Sequence, residues 1–159
     1  MIGEVAAGIS IPVIGNGDLG SANDVAKRRA ETGIAGAMIG RAAMSAPWIF
    51  RETKAYLATG EIVDPPTLSE RWKLILRHCE LTAREWGAEE PAIRSMRARL
   101  MAYSRSMPEA KRLREKFAHV STVAEVKTIA EENIFQGGSV GEAASFPPPR
   151  EANSFAYSA

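Results

Sequence analysis

The sequence predicts an α/β unit built on parallel strands, followed by an all-α helical domain. Three observations carry this. Two short apolar runs each end in a glycine turn and lead into a helical stretch, Asp64-Pro65-Pro66 interrupts the pattern, and beyond it apolar residues recur only at spacings of three and four. Strand, helix, strand, helix with short joints is the signature of a parallel sheet. Helical spacing without strands is the signature of packed helices.

The first predicted strand is Ile11-Pro12-Val13-Ile14, which leaves into the turn Gly15-Asn16-Gly17-Asp18. Ser21 and Asp24 have the spacing of an N-cap with an acid in the first turn, so a helix is expected through about Glu31. Gly33 suits the left-handed position that stops it. Ala35 to Ile39 is the second predicted strand, ending at Gly40-Arg41, and one further helix is expected to about Ala58, closed by Gly60. After the prolines, Thr67 and Glu70 form a capping box. Leu68, Trp72, Ile75, Cys79, Ala83 and Trp86 then mark one helical stripe. Pro91 is expected to start a helix with Ile93, Met96, Leu100, Tyr103 and Met107 on its apolar face. Pro108 stops that helix and opens a short basic one, and Thr122 with Glu125 caps the last, which carries Val123, Val126, Ile129 and Ala130. The Gly-, Ser-, Ala- and Pro-rich stretch 137–159 has no periodicity and is expected to be a disordered tail.

At 159 residues the chain can bury a core, but a whole (β/α)₈ barrel needs about 250 residues. Its 45% hydrophobic and 25% charged content is ordinary for a soluble protein. No apolar run approaches the roughly 18 residues of a membrane span, and the start carries Glu4 but no basic residue before Ile14. One cysteine and two histidines support neither a disulfide nor a metal cluster. A cytoplasmic monomer without a metal is expected. Net charge is +1, yet Pro91 to Phe117 holds eight basic residues against Glu109 and Glu115. That window is +6 and the remainder −5, so any polyanion-binding face belongs there.

Gly15-Asn16-Gly17-Asp18 and Gly40-Arg41-Ala42 both follow strand C-termini, where parallel α/β folds bind ligands. Glycine lets a backbone approach an anion closely, and Arg41 offers a permanent, two-pronged donor. A helix beginning just after Arg41 would add its positive end. Glycines that merely make tight turns would look the same. On the basic segment, Arg94, Arg97 and Arg105 fall on one side when wound at about 100° per residue. A solvated charged face remains the alternative to RNA binding.

The longer wording Ile11-Pro12-Val13-Ile14-Gly15-Asn16-Gly17-Asp18, then Met38-Ile39-Gly40-Arg41-Ala42-Ala43, then Pro47-Trp48-Ile49-Phe50 closely resembles the tRNA-dihydrouridine synthase family, nearest its bacterial B-type branch. The resemblance continues through Met96 to Pro108, which is similar to the family's helical signature. Here Ala98 stands for the usual Lys, Arg99 for His and Ala102 for Trp, so the basic helix is retained in part. About residues 5 to 135 are covered.

The resemblance implies the C-terminal portion of a TIM barrel over 1–63, a helical tRNA-binding domain over 64–136, and FMN held by Asn16, Gly17, Asp18, Gly40 and Arg41. It implies tRNA contacts from Arg94, Arg97, Arg99 and Arg105. The implied reaction is reduction of uridine in tRNA to 5,6-dihydrouridine, with NADPH reducing the flavin. The family's proton-donating cysteine belongs to earlier barrel strands, and Cys79 lies instead on a helical apolar stripe. No catalytic residue is therefore assigned, and the chain alone is expected to be incomplete as a catalyst. Two other readings stay open: another FMN or phosphate-binding TIM-barrel oxidoreductase, and a non-catalytic RNA-binding remnant.

Overall fold

A computed structural model describes residues 2–138, which form a mostly helical α/β protein with one two-stranded parallel sheet. The described chain divides into two compact units, one comprising 2–43 and Pro47–Asp64, the other Met44–Ala46 and 65–138.

The first unit begins with α1 (Ile2–Gly8), which the sequence pattern does not announce. It buries none of its residues, so no apolar periodicity marks it. Strand β1 (Ile14–Gly15) pairs in parallel with β2 (Gly36–Ala37), in register Ile14 to Gly36 and Gly15 to Ala37. Both are shorter than the apolar runs suggest. Flanking bonds from the Ala35 N–H to the Val13 carbonyl (2.9 Å) and from the Met38 N–H to the Gly15 carbonyl (2.8 Å) extend the pairing slightly. Close packing favours a glycine here, because a Cβ on Gly15 would lie 2.5 Å from Ile34 Cδ1 and the buried Ile34 side chain would have to shift.

Between the strands runs α2 (Ala22–Thr32), opened by the Ser21 hydroxyl accepting from the Asp24 N–H at 3.1 Å. Gly33 ends it at φ 68°. The single helix expected after β2 is two, α3 (Arg41–Ser45) and α4 (Ile49–Thr59). Pro47 explains the interruption, since its ring disfavours helical backbone at Ala46 and it has no N–H to donate. Leu19, Val25, Ile34, Trp48 and Ile49 are the buried apolar residues of this unit.

The second unit is helical. Thr67 and Glu70 make the reciprocal capping box that opens α5 (Leu68–Trp86). Next come α6 (Glu89–Tyr103), a 3₁₀ turn (Ser104–Ser106), α7 (Ala110–Phe117) and α8 (Val123–Gly138). Helix α6 starts two residues before Pro91, which occupies the first turn, where a missing N–H breaks no helical bond. Met107 is extended, as the residue before a proline prefers. One core joins Trp72, Ile75 and Cys79 of α5 to Ile93, Met96 and Leu100 of α6, Leu113 and Phe117 of α7, and Val126 of α8. Trp72 and Phe117 meet edge to face with centroids 6.0 Å apart.

Two buried polar side chains tie the helices together. Arg71 donates through Nε to the Pro66 carbonyl (2.9 Å) and through Nη1 to the Ser106 carbonyl (2.5 Å). Asn133 accepts from Trp72 Nε1–H at 3.0 Å and donates to the Pro108 carbonyl at 3.3 Å. Helix α8 continues to Gly138, so the expected tail contributes its first two residues to a helix. The rest of that tail lies outside the described residues.

Candidate functional site: a glycine-loop cradle and a basic helical surface

The two glycine loops leave the C-terminal ends of β1 and β2, which are adjacent and parallel, so they emerge on one side of the sheet. There they line one cavity of about 680 Å³, bounded by Asn16, Gly17, Asp18, Leu19, Gly20, Gly40, Arg41 and Ala42. That volume lies within the ordinary range for small-molecule sites. All five residues expected to hold a cofactor therefore border the same space.

The loop after β1 reverses through two positive-φ residues, Gly17 at 136° and Asp18 at 42°. The first is a backbone state that L side chains rarely adopt, whereas Asp tolerates the second. The Gly20 N–H donates to the Asp24 carboxylate at 3.1 Å, fastening the loop's far end to α2. Across the cavity mouth, Arg41 pairs with the Asp18 carboxylate, joining one loop to the other. Both side chains remain largely exposed, at 83% and 68%. Arg41 has five N–H donors, so the pair leaves it donors for an anion. Helix α3 does begin at Arg41, but its five residues make little of the macrodipole that a longer helix supplies.

Arg28 stands beside the loop after β1, outside the cavity lining. Its Nη1 lies 3.2 Å from where a Gly17 Cβ would stand, so a guanidinium packs against the loop's most constrained residue. Arg28 lies eleven positions beyond Gly17 on the middle of α2, and no spacing rule connects the two. Leu19, Gly20 and Ala42 also line the cavity, and their adjacency to the two motifs is the signal that could have found them.

In the helical unit, the four arginines expected to meet tRNA do not form one stripe. Arg94 is exposed and pairs with Glu90 one turn back, at 2.5 Å. Arg97 donates through Nε to the Val120 carbonyl (2.9 Å) and through Nη2 to the His119 carbonyl (3.2 Å), fixing α6 to the connection before α8. Arg99 is half-buried, close enough to His78 and Tyr103 for its charge to act on both. Arg105 lies in the 3₁₀ turn beyond the end of α6, so the helical winding does not carry to it.

His78 Nδ1 and the Tyr103 hydroxyl share a hydrogen bond of 2.9 Å between α5 and α6. Burial lowers the His78 pKa, and Arg99 adds to that. Cys79 is fully buried, and burial pushes its thiol up to about 11, with Glu80 contributing. It is a packed core residue. No helix among the described residues is long and apolar enough to cross a membrane, and no three His, Cys, Asp or Glu side chains gather there as a metal site would need.

Comparison with known proteins agrees with this wording of loops and helices. The family model described as dihydrouridine synthase (Dus) matches residues 1–137. The tRNA-dihydrouridine synthase B of Xanthomonas axonopodis pv. citri is 38% identical over 108 residues, 68% of this chain and 32% of that protein. A probable tRNA-dihydrouridine synthase of Mycobacterium leprae is 35% identical over 117 residues, 74% of this chain and 30% of that protein. The Serratia marcescens tRNA-dihydrouridine synthase B reaches 46% identity over 80 residues, 48% of this chain and 23% of that protein. The chain thus spans about a third of the length of the curated relatives it matches. It belongs to the dihydrouridine synthase family, in the B-type branch.

Proposed function

We propose that this chain supplies the FMN-phosphate loops and the tRNA-binding helical part of a flavin-dependent tRNA-dihydrouridine synthase. In this reading the α/β unit is the C-terminal portion of a (β/α)₈ barrel and 64–136 is the tRNA-binding domain. The observation that carries it is the meeting of Asn16, Gly17, Asp18, Gly40 and Arg41 around one cavity at strand C-termini. Those residues fit a phosphate-bearing cofactor. Gly17 opens the backbone to close approach, and Arg41 brings an exposed, permanent cation with donors to spare. Asp18 holds Arg41 at the mouth until an anion competes for it.

Bound flavin, reduced by NADPH, would supply the electron pair that saturates the uracil 5,6-double bond. The residues of this chain bind and orient the cofactor's phosphate end. No side chain here is assigned the proton transfer. The surplus positive charge of the helical part supports tRNA as the substrate.

The experiment is amide NMR of the labelled chain during titration with FMN to millimolar concentration, with riboflavin as the phosphate-free control. Shifts at Gly17, Gly40 and Arg41 with FMN but not riboflavin are expected, and they are visible even for weak binding. Loops that ignore FMN remove the cradle from the cofactor site. If tRNA still binds in that case, the non-catalytic RNA-binding reading replaces this one.

A further inference from the structure

The arginines of α6 are mostly engaged within the protein, which raises the question of where the basic segment's free charge is displayed. Arg105, Lys111 and Arg114 are exposed, and among the described residues their side chains make no hydrogen bond or ion pair. All three belong to the 3₁₀ turn and α7, two elements that pack against each other. By contrast Arg94 is paired with Glu90, Arg97 is spent on two backbone carbonyls, and Lys116 is paired with Glu132.

We infer that the surface formed by the 3₁₀ turn and α7, rather than the face of α6, binds the phosphates of folded RNA, through Arg105, Lys111 and Arg114. This rests on the reading of the chain as part of a tRNA-modifying enzyme. The chemistry of the surface distinguishes its partner. Leu113 and Phe117 are buried, so α7 presents no apolar face. A membrane-surface helix needs such a face, and a protein interface needs an apolar core. None of the large exposed hydrophobic side chains lies on the turn or on α7, so stacking on unpaired bases has no platform. What remains is a group of unpaired cations on a surface whose scaffold is anchored by buried Leu113 and Phe117. That arrangement recognises phosphate positions without reading sequence. Exposed Glu109 and Glu115 flank the cations and narrow the patch.

The test uses the full chain and an unmodified tRNA transcript, with binding measured across a salt series. Removing one cation that neutralises a phosphate lowers the log–log salt slope by roughly 0.7–0.9. The triple variant Arg105→Ala/Lys111→Ala/Arg114→Ala is expected to lower the slope by roughly two to three units. Arg94→Ala is expected to keep the wild-type slope. The charge-keeping pair Arg105→Lys/Arg114→Lys should also keep it, which separates the effect of charge from that of misfolding. If the triple variant keeps the wild-type slope while Arg94→Ala lowers it, the RNA-binding face is α6 and tRNA recognition stands. A wild-type chain whose tRNA binding is absent or independent of salt overturns both the surface and the tRNA reading.

Discussion

Gly17 is held by its φ of 136° and, less strictly, by Arg28, whose Nη1 lies 3.2 Å from where a Cβ would stand. The first is legible as a glycine between Asn16 and Asp18, but the second is not. It depends on how α2 packs beside the loop. Gly17→Ala is therefore expected to deform the loop and weaken FMN binding, whereas Gly40→Ala meets nothing within 4 Å and should be the milder change. Isothermal titration of both variants checks the order. Arg41 is the side chain on which the proposed phosphate site most depends. Arg41→Ala should cost about 1.5–3 kcal/mol of FMN binding, the range for hydrogen bonds to a charged group. An unchanged dissociation constant would take Arg41 out of the site. Of the basic residues, sequence winding identifies the charge but not its commitments. Whether an arginine is free depends on which carbonyls or carboxylates the fold brings beside it. Arg97 shows this, because its partners are more than twenty positions away.

Some helix ends, unlike the strand ends, are readable because capping is local chemistry, although α6 ends at Tyr103 in a 3₁₀ turn instead of running to Pro108. Ser21, Gly33, Thr67 and Gly60 act where their residue types suggest. Two departures from the sequence pattern have identifiable reasons. Helix α1 buries none of its residues, and Pro47 divides a stretch whose apolar pattern otherwise continues. In the helical unit, Asn133 is a long-range tie that no periodicity shows, since a polar residue on α8 looks like surface. Its replacement by alanine leaves the buried Trp72 N–H without its acceptor, which should cost about 1–3 kcal/mol. The midpoint of urea denaturation measures this, and an unchanged midpoint would mean that another acceptor takes over. The bond between His78 and Tyr103 links α5 to α6 and carries a pH dependence. The folded His78 pKa is lowered from 6.5, by burial and then by Arg99, so the unfolded chain takes up a proton first as pH falls. Stability from this site is therefore fully present above about pH 6.5 and declines as pH drops below it. His78→Gln should flatten that decline in denaturation midpoints compared between pH 7.5 and 5. An identical slope would take His78 out of the acid sensitivity in this range, because Glu125, whose pKa is lowered from 4.5 chiefly by the backbone N–H groups of Ser121 and Thr122, loses its contribution only at lower pH.

At the scale of the molecule, parallel pairing is legible from two apolar runs alternating with helices, while its extent is not. Strand length depends on partners that a local sequence does not name. The sheet has two strands, and each leaves one edge unpaired among the described residues. Ile11 and Ile14 are 69% and 61% exposed, and Ile9 and Met38 are also open to solvent. Parallel sheets are ordinarily covered on both faces, and their unpaired edges are prone to foreign pairing. The proposed phosphate cradle on such a support lacks the rigid frame that tight positioning requires. In the proposed reaction Cys79 is not placed to give the proton that uracil reduction needs, since it is buried in α5 with its thiol pushed up to about 11. The helical unit, by contrast, has a continuous core and should remain folded. These considerations predict that the chain by itself binds tRNA but yields no dihydrouridine. The measurement is anaerobic incubation of the purified chain with FMN, NADPH and unmodified tRNA, followed by nucleoside analysis against a protein-free control. Dihydrouridine that accumulates in proportion to the protein added would show that two strands suffice to position the flavin, and that a proton donor other than a cysteine serves the reaction.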